Sequence, residues 1–493
     1  MSDHPVKKVV IVGRDDALWL SANVLWRALG QLDITVVELP SLLRPGDVYP
    51  TLKQQEAYHN LIGINEGPMM KAAHATYKLG QRFNNWSKTK PPFIHGYSTY
   101  GRPLNRVSFH HYWVKARAQG LKAEFDDFSL NAVAAKYGRF FLPGEAVDGF
   151  AICDYAYHLE AQGYCHVLKT VALDRKIKHI TGRLAEVARD PLSGDIIGVT
   201  LTDGQTIEGD FFIDASGAES ALLGEGLEVG FDSWRKWFPC DRLMTTYAAP
   251  LAPLPPFSQV SAFRSGWAGL YPLRNCTAVQ QVYTSHDLTD EAAFEAAGIF
   301  TSLKLNPDAV VTPFTAGTRR RFWEKNCVAI GEAAAVLDPI DSVRMHVNLL
   351  GLSHLISLFP IIESTEYNRN VHSSLERIRD YQLCHYVLNQ RFDQPFWDHC
   401  RNIEVPDALR YKLDLFEARG NLVVYDDETF EEDDWLSMLL GHGLIPKAYD
   451  PLADQISDAE AIQHFQKMLG FIKAAVEPMK PMEETLGIVP VRV

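Results

Sequence analysis

Residues 9–19 read VVIVGRDDALW, and the fold turns on how this stretch is parsed. Val9 to Val12 is a short β-branched apolar run, the length of a strand buried on both faces. Gly13 supplies a turn, and Ala17 to Leu29 then carries apolar residues at helical spacing. Strand, turn and helix make a βα unit. Downstream, ITVVELP supplies a second strand ending in Glu38, roughly 20 or so residues past the turn, where an acidic side chain commonly accepts ribose hydroxyl hydrogen bonds. The frame is a Rossmann unit. Its G-x-G-x-x-G fingerprint needs the second glycine for close backbone approach to a diphosphate and the third for tight helix packing. Asp15 and Leu18 hold those places. An aspartate suits the positive end of a helix dipole, yet it takes the place of the diphosphate and repels its charge.

The whole chain bounds the function classes. With 493 residues, 46% of them hydrophobic, it can bury one large core or two to three smaller ones. A formal net charge of -13, with no dense Lys/Arg cluster, argues against nonspecific nucleic-acid binding and favours small-molecule or protein partners. Cysteines 153, 165, 240, 276, 327, 384 and 400 form no C-x-x-C pair, which reads as reduced thiols and no zinc site. Cys327, in the apolar strand NCVAIG, reads as a packed residue rather than a nucleophile. MSDHPVKKVVIVG runs straight into a strand without a signal-peptide core, and no membrane-length apolar run follows, so a soluble cytoplasmic protein is expected. The acidic run DDETFEEDD, Asp426 to Asp434, reads as a solvated loop or helix start.

Coarse secondary structure follows from periodicity and turn signals. From Tyr155, YAYHLEAQGYCHVLKTVAL reads as helical, and alternating strands lead through the turns PLSGD and TDGQ to FFID and the small-residue turn ASG. Aromatic-rich strands come next, then the strand, glycine turn and loop of RRRFWEKNCVAIGEAAAVLDPIDS, and a helix in RMHVNLLGLSHLISLF. From Glu363 the chain reads as largely helical, with breaks at prolines 395, 406, 446 and 451. The layout is α/β: a discontinuous Rossmann-like core at approximately 1–60, 155–220 and 310–362, a β-rich layer at approximately 221–309, and a helical part at 363–493.

Several segments, in this order, resemble one family: KVVIVGRDDALWLSANVLWRAL, EGDFFIDASGAES, SGWAGLYPL, GTRRRFWEKNCVAIGEAAAVLDPIDS, RIRDYQLCHYVLNQRFDQPFWDHCRNIEVPDAL and LLGHGLIPKAYDPLAD. The family is the FAD-dependent tryptophan halogenases, relatives of the flavoprotein monooxygenases. The resemblance implies a flavoprotein-monooxygenase-type FAD-binding core with a β-rich substrate layer and a helical C-terminal part. It implies FAD as cofactor, reduced by a separate flavin reductase, and a small aromatic, tryptophan-like substrate. In the family, reduced flavin, oxygen and chloride yield hypochlorous acid, and a lysine and a glutamate complete the halogenation in a neighbouring pocket.

Carried over residue by residue, Gly13 matches the first loop glycine and Glu38 the ribose acid, while Arg14, Asp15 and Leu18 replace glycines. Asp214 and Gly331 join Gly13 and Glu38 as residues expected to bind the cofactor under the flavin reading. An ungapped match of INEGPMMKAAHATYKLGQRFNNW carries the lysine position onto Glu56, with Lys53 three residues away. If Thr51 to Leu61 is helical, Lys53 and Glu56 share a face. DPIDSVRM falls on the family's E-P-L-E-S-T-G-I, which puts Asp341 at the catalytic glutamate and keeps Ser342. Val343 and Arg344 replace the pair whose amides meet chloride, and Arg344 brings a long side chain to where the isoalloxazine would lie. The W-x-W-x-I-P motif becomes Trp267-Ala-Gly-Leu-Tyr-Pro, with Trp267 retained. Each match has a plainer alternative: Asp341 a loop or cap aspartate, Trp267 and Trp86 core indoles, and His110 and His111 core histidines instead of substrate contacts.

Two functions follow. One is an oxidoreductase or monooxygenase of the halogenase family, using FADH2 and oxygen on an aromatic substrate, with halogenation itself set against the altered motifs. The other is a non-catalytic member that binds a small ligand or a partner protein, as a homodimer or as a heterodimer with a homologue.

Overall fold

The structure, a computed structural model, describes residues 6–143, 152–359 and 364–488. Strand β1 (Lys8–Gly13) is buried from Val9 onward, as its unbroken apolar run requires. It lies between β2 (Asp33–Glu38) and the strand Phe211–Ala215, both parallel to it. The six-stranded sheet runs Trp323–Glu324, Cys327–Ala329, Phe211–Ala215, β1, β2, Lys178–Thr181. Its register sets Gly13 beside Glu38 and Ala215, Asp214 beside Ala329, and Glu38 beside Thr181. The carboxyl ends of these parallel strands share one edge, where open α/β sheets bind ligands. Helix α1 (Asp15–Ala28) follows β1 and is buried continuously from Asp16 to Leu25. It packs between helices Ala161–Asp174 and Arg344–Leu358, which explains its broad apolar surface.

One element differs from its sequence reading. Tyr155 onward does not start as helix: Ala156–Glu160 is a strand, buried at all five positions, and the helix begins at Ala161. The Glu160 carboxylate accepts from the amides of Gln162 and Gly163, a cap that halts the strand and starts the helix. Cross-strand pairing with Thr76–Lys78 holds the first residues extended.

By contacts the chain forms two discontinuous units, residues 1–75, 159–238 and 313–376, and residues 76–158, 239–312 and 377–493. The first contains the parallel sheet. The second contains a seven-stranded sheet ordered Val310–Pro313, Arg242–Ala248, Thr277–Tyr283, Gly266–Pro272, Ser258–Phe263, Gly80–Asn84, Phe93–Gly96. Ser258–Phe263 pairs in parallel with Gly80–Asn84 and antiparallel with Gly266–Pro272. Residue 363, the expected start of the helical part, lies outside the described residues; the first helix described beyond it is Ser364–Val387. Helices Pro395–Arg401, Asp407–Arg419, Glu432–His442 and Asp458–Val476 continue it. The acidic run starts a helix, since Glu431 and Asp434 form a reciprocal capping box there. Among the described residues no helix is long and apolar enough to cross a membrane, and no cluster suits a metal ion.

Candidate functional site

At the sheet edge, backbone geometry and charge can be followed side chain by side chain. Gly13 is required by the fold itself: a Cβ there would lie 2.2 Å from the Ala215 carbonyl oxygen. Arg14 leaves the turn to pair with Glu219 at 2.9 Å. Asp15 keeps a left-handed backbone, φ 55, that a glycine adopts without strain. Its carboxylate accepts from the Ser41 hydroxyl at 2.6 Å and the Leu42 amide at 3.4 Å. Burial raises its pKa, opposed by the Ser41 hydrogen bond and reinforced by the neighbouring Asp16. Asp16 is 2% exposed and accepts from the Asn348 amide at 2.7 Å, with the Arg344 guanidinium at 3.5 Å. Arg344 also stands 3.5 Å from Glu332 and lies over the Tyr49 ring, 5.2 Å from its centroid. Leu18 is fully buried.

The other expected cofactor residues divide by what they hold. One oxygen of Glu38 takes both Lys169 and His179 at 2.7 Å. Fully buried Asp214 serves its own turn, accepting from Ser216 N and Oγ, Ser220 Oγ and the amides of Leu222 and Leu223 at 2.6–3.1 Å. Gly331 has φ +66, and a Cβ there would meet the Asn348 side-chain oxygen at 2.1 Å. That glycine makes room for the asparagine that holds Asp16, a link sequence reading missed; its signal was a lone asparagine in the apolar helix RMHVNLL.

Asp341 closes the short turn Pro339–Asp341 and is 4% exposed. Capping falls to Asp338, whose carboxylate accepts from the Ile340 amide at 3.1 Å. Ser342 is left-handed, φ 63, whereas Val343 has an ordinary right-handed backbone and Arg344 opens a 15-residue helix. The helix in residues 51–61 begins only at Gln55, so the condition under which Lys53 would share a helix face with Glu56 is not met and Lys53 lies in the preceding turn. The helix buries Gln55 and His59, four apart, against Tyr164: both His59 Nε2 and Gln55 reach the Tyr164 hydroxyl, at 2.9 and 3.2 Å. Glu56, in its first turn, is only partly buried and there suits the helix dipole.

These residues test FAD directly. Two carboxylates, Asp15 and Asp16, occupy the start of α1, where a diphosphate needs bare amides and positive potential. Arg344 is engaged by Asp16, Glu332 and Tyr49. The ribose end of the sheet is conserved in form, with Glu38 at the end of β2. The diphosphate end does not fit.

In the second unit, Lys78 ends the strand Thr76–Lys78 and is fully buried, its ammonium 5.4 Å from the centroid of the Tyr97 ring. Tyr97 meets His95 edge to face at 5.7 Å, and His95 Nε2 is 2.8 Å from the Asp434 carboxylate, both side chains nearly buried. Buried Lys412 and Lys115 are held by carboxylates, Glu428 and Asp454 respectively. Lys78 went unnoticed within ATYKLGQRFNNW; its signal was a cation two residues from Thr76 in an otherwise strand-like run.

The expected substrate residues of this unit are tied into the core. Trp267 is fully buried and donates to the Tyr386 hydroxyl at 3.2 Å. His110 Nε2 is 2.8 Å from the Gly420 carbonyl, and His111 Nδ1 accepts from the Asp450 amide at 3.2 Å. Burial lowers the pKa of His110 to about 4 and that of His111 below its ordinary value, so both are neutral fasteners of helix Phe109–Ala118. Trp86 donates to the Val260 carbonyl and packs edge to face on Trp397. Cys327 is fully buried, and burial drives its thiol well above the usual range.

Comparison with known proteins agrees with this frame over nearly the full length. The family model for tryptophan halogenase matches residues 8–458. Tryptophan 7-halogenase RebH of Lentzea aerocolonigenes is 25% identical, with 95% of each chain covered. The flavin-dependent halogenase BrvH from Brevundimonas sp. BAL3 superposes with a TM-score of 0.93 at 33% identity, covering 98% of this chain and 99% of that one. A flavin-dependent halogenase from Xanthomonas campestris gives 0.94 at 32% identity, with 98% of each covered. The chain belongs to the tryptophan halogenase family.

Proposed function

We propose that this chain binds a small aromatic, tryptophan-like molecule through the family's substrate half while its flavin half no longer retains FAD. The observation that carries this is the contrast between the two halves. Lys78 is a wholly buried cation beside the Tyr97 ring, the kind of placement that clusters at functional sites, whereas the start of α1 is filled by Asp15 and Asp16. Lys78, rather than Glu56 or Lys53, then supplies the lysine that the family's chemistry needs. Its charge attracts an electron-rich ring or a carboxylate, and Tyr97 and His95 offer ring faces and edges for stacking.

A second reading, an oxidoreductase fed reduced flavin by a separate reductase, is favoured by Gly13 and Glu38 at their strand ends and by buried Asp341. One experiment separates the two. Purified protein is examined for flavin absorbance, then titrated with FAD and with indole in separate calorimetric runs. Indole binding that Lys78→Met weakens, in colourless protein that takes up no FAD, supports the proposal. Tight FAD uptake favours the oxidoreductase, and indole binding unaffected by Lys78→Met removes Lys78 from the site.

A further inference from the structure

In the unit that holds the seven-stranded sheet, a small cavity lies where the end of helix Glu432–His442 meets helix Phe109–Ala118 and the turn Phe125–Phe128. It encloses about 60 Å³. That is less than half of the roughly 150 Å³ apolar cavity that takes a benzene ring, so a short hydrocarbon chain fits and an aromatic ring does not. Its floor is built from buried Phe93, Trp113, Phe125 and Leu440. Two polar groups reach the floor, and both are engaged. Asp126 takes Lys136 at 2.6 Å and the Ile94 amide at 2.9 Å, and Ser437 Oγ accepts from the Tyr100 hydroxyl at 2.8 Å. The Trp113 N–H is likewise spent on the Ala123 carbonyl at 3.2 Å. The floor therefore offers an apolar surface.

The mouth is charged, and its charges are not evenly matched. Arg117 pairs with Glu124 at 3.0 Å and donates to the Leu121 carbonyl at 2.9 Å. Lys90, half-buried at the same mouth, makes no ion pair and no side-chain hydrogen bond among the described residues. Its ammonium lies close over Gly443, where a Cβ would come within 2.2 Å of it, at the C-terminal end of helix Glu432–His442. The negative end of the helix dipole suits a cation there but fills none of its three donor directions. Glu124 and Arg117 act on Lys90 with opposite signs, so Lys90 stands as the cation of the mouth with donors to spare.

We propose that this cavity binds a small monocarboxylate of roughly three or four carbons, its hydrocarbon end against Phe93, Trp113 and Leu440 and its carboxylate on the Lys90 ammonium. The chemistry of the lining selects this class. A bare halide would leave the apolar floor unfilled, and an amine would meet Lys90 and Arg117 with the wrong sign. A dicarboxylate would press its second charge toward Glu124 and Asp126. None of the groups named for Lys78 lines this cavity, so the inference stands apart from the reading of that lysine.

The test uses the full chain labelled with 5-fluorotryptophan, the Trp113 resonance being assigned from Trp113→Phe. Butyrate, butylamine and succinate are titrated separately at constant ionic strength. Butyrate should move the Trp113 signal saturably, at lower concentration than succinate, while butylamine leaves it in place. Lys90→Gln should raise the butyrate dissociation constant about tenfold, and Lys90→Arg should keep most of the affinity. Because Lys90 is only half-buried, both variants are expected to fold, and their melting curves check this. A Trp113 signal that does not saturate with butyrate, an affinity unchanged in Lys90→Gln, or an equal response to butylamine overturns the proposal.

Discussion

Replacing Asp15 alone by glycine should measurably strengthen the binding of FAD. The backbone there already has φ 55, so glycine removes strain instead of adding it. What is lost is a carboxylate held by Ser41 and Leu42 at the start of α1. For a diphosphate charge at an assumed separation of about 5 Å, an effective dielectric near 20 gives roughly 3 kcal/mol of repulsion per charge pair. Asp15 is partly solvated, and discounting by half leaves about 1.5 kcal/mol per diphosphate charge, or on the order of 1.5–3 kcal/mol for one to two charges. This corresponds to roughly a 10- to 100-fold gain in FAD affinity. Leu18 is best left in place: it is fully buried, and truncating such a leucine costs about 3–5 kcal/mol, enough to confound any binding measurement with unfolding. Calorimetric titration with FAD at two salt concentrations checks the prediction, with the gain larger at low salt. Equal affinity for Asp15→Gly and the unmodified protein would refute the electrostatic reasoning, and nanomolar binding by the unmodified protein would refute the claim that the loop rejects the diphosphate.

Three further outcomes are expected. Because the folded-state pKa of Asp15 is raised, its carboxylate weighs against folding above that pKa and the penalty fades as pH falls through it. The stability advantage of Asp15→Asn over the unmodified protein in urea titrations should therefore shrink from pH 7 to pH 4; an advantage independent of pH would contradict this. Gly331→Ala should cost about 2–4 kcal/mol in the same assay, since it forces a side chain into a left-handed backbone and against Asn348, and a loss below about 1 kcal/mol would show that the loop yields. Given FADH2, oxygen and chloride or bromide, the unmodified protein should yield no halogenated free tryptophan by mass spectrometry if Val343-Arg344, as the family resemblance implies, stands where the chloride-binding pair would, and if Asp15 and Asp16 repel the diphosphate as proposed. A product that disappears in Lys78→Ala but persists in Lys53→Ala would overturn that expectation while confirming which lysine acts.

The local pattern of the sequence determined the frame. An apolar β-branched run, a glycine and a helical period suffice for β1, its turn and α1, and the same signals place β2 and the helix from Arg344, because these elements depend on neighbours within a few residues. The replacement of a loop glycine by Asp15 was legible as well, since the electrostatics of an aspartate at a helix start depend on the helix alone. Tertiary structure decided the rest. Asp16 is held by Asn348 and Arg344, more than 300 residues away in the chain, and Asp214 turned inward to its own loop. Periodicity could not separate the strand Ala156–Glu160 from the helix after it, because its extension depends on pairing with Thr76–Lys78. The proposed role of Lys78 was not legible because it rests on burial. Burial sets the cost of a charge, and it is created by segments that meet only when the chain has folded.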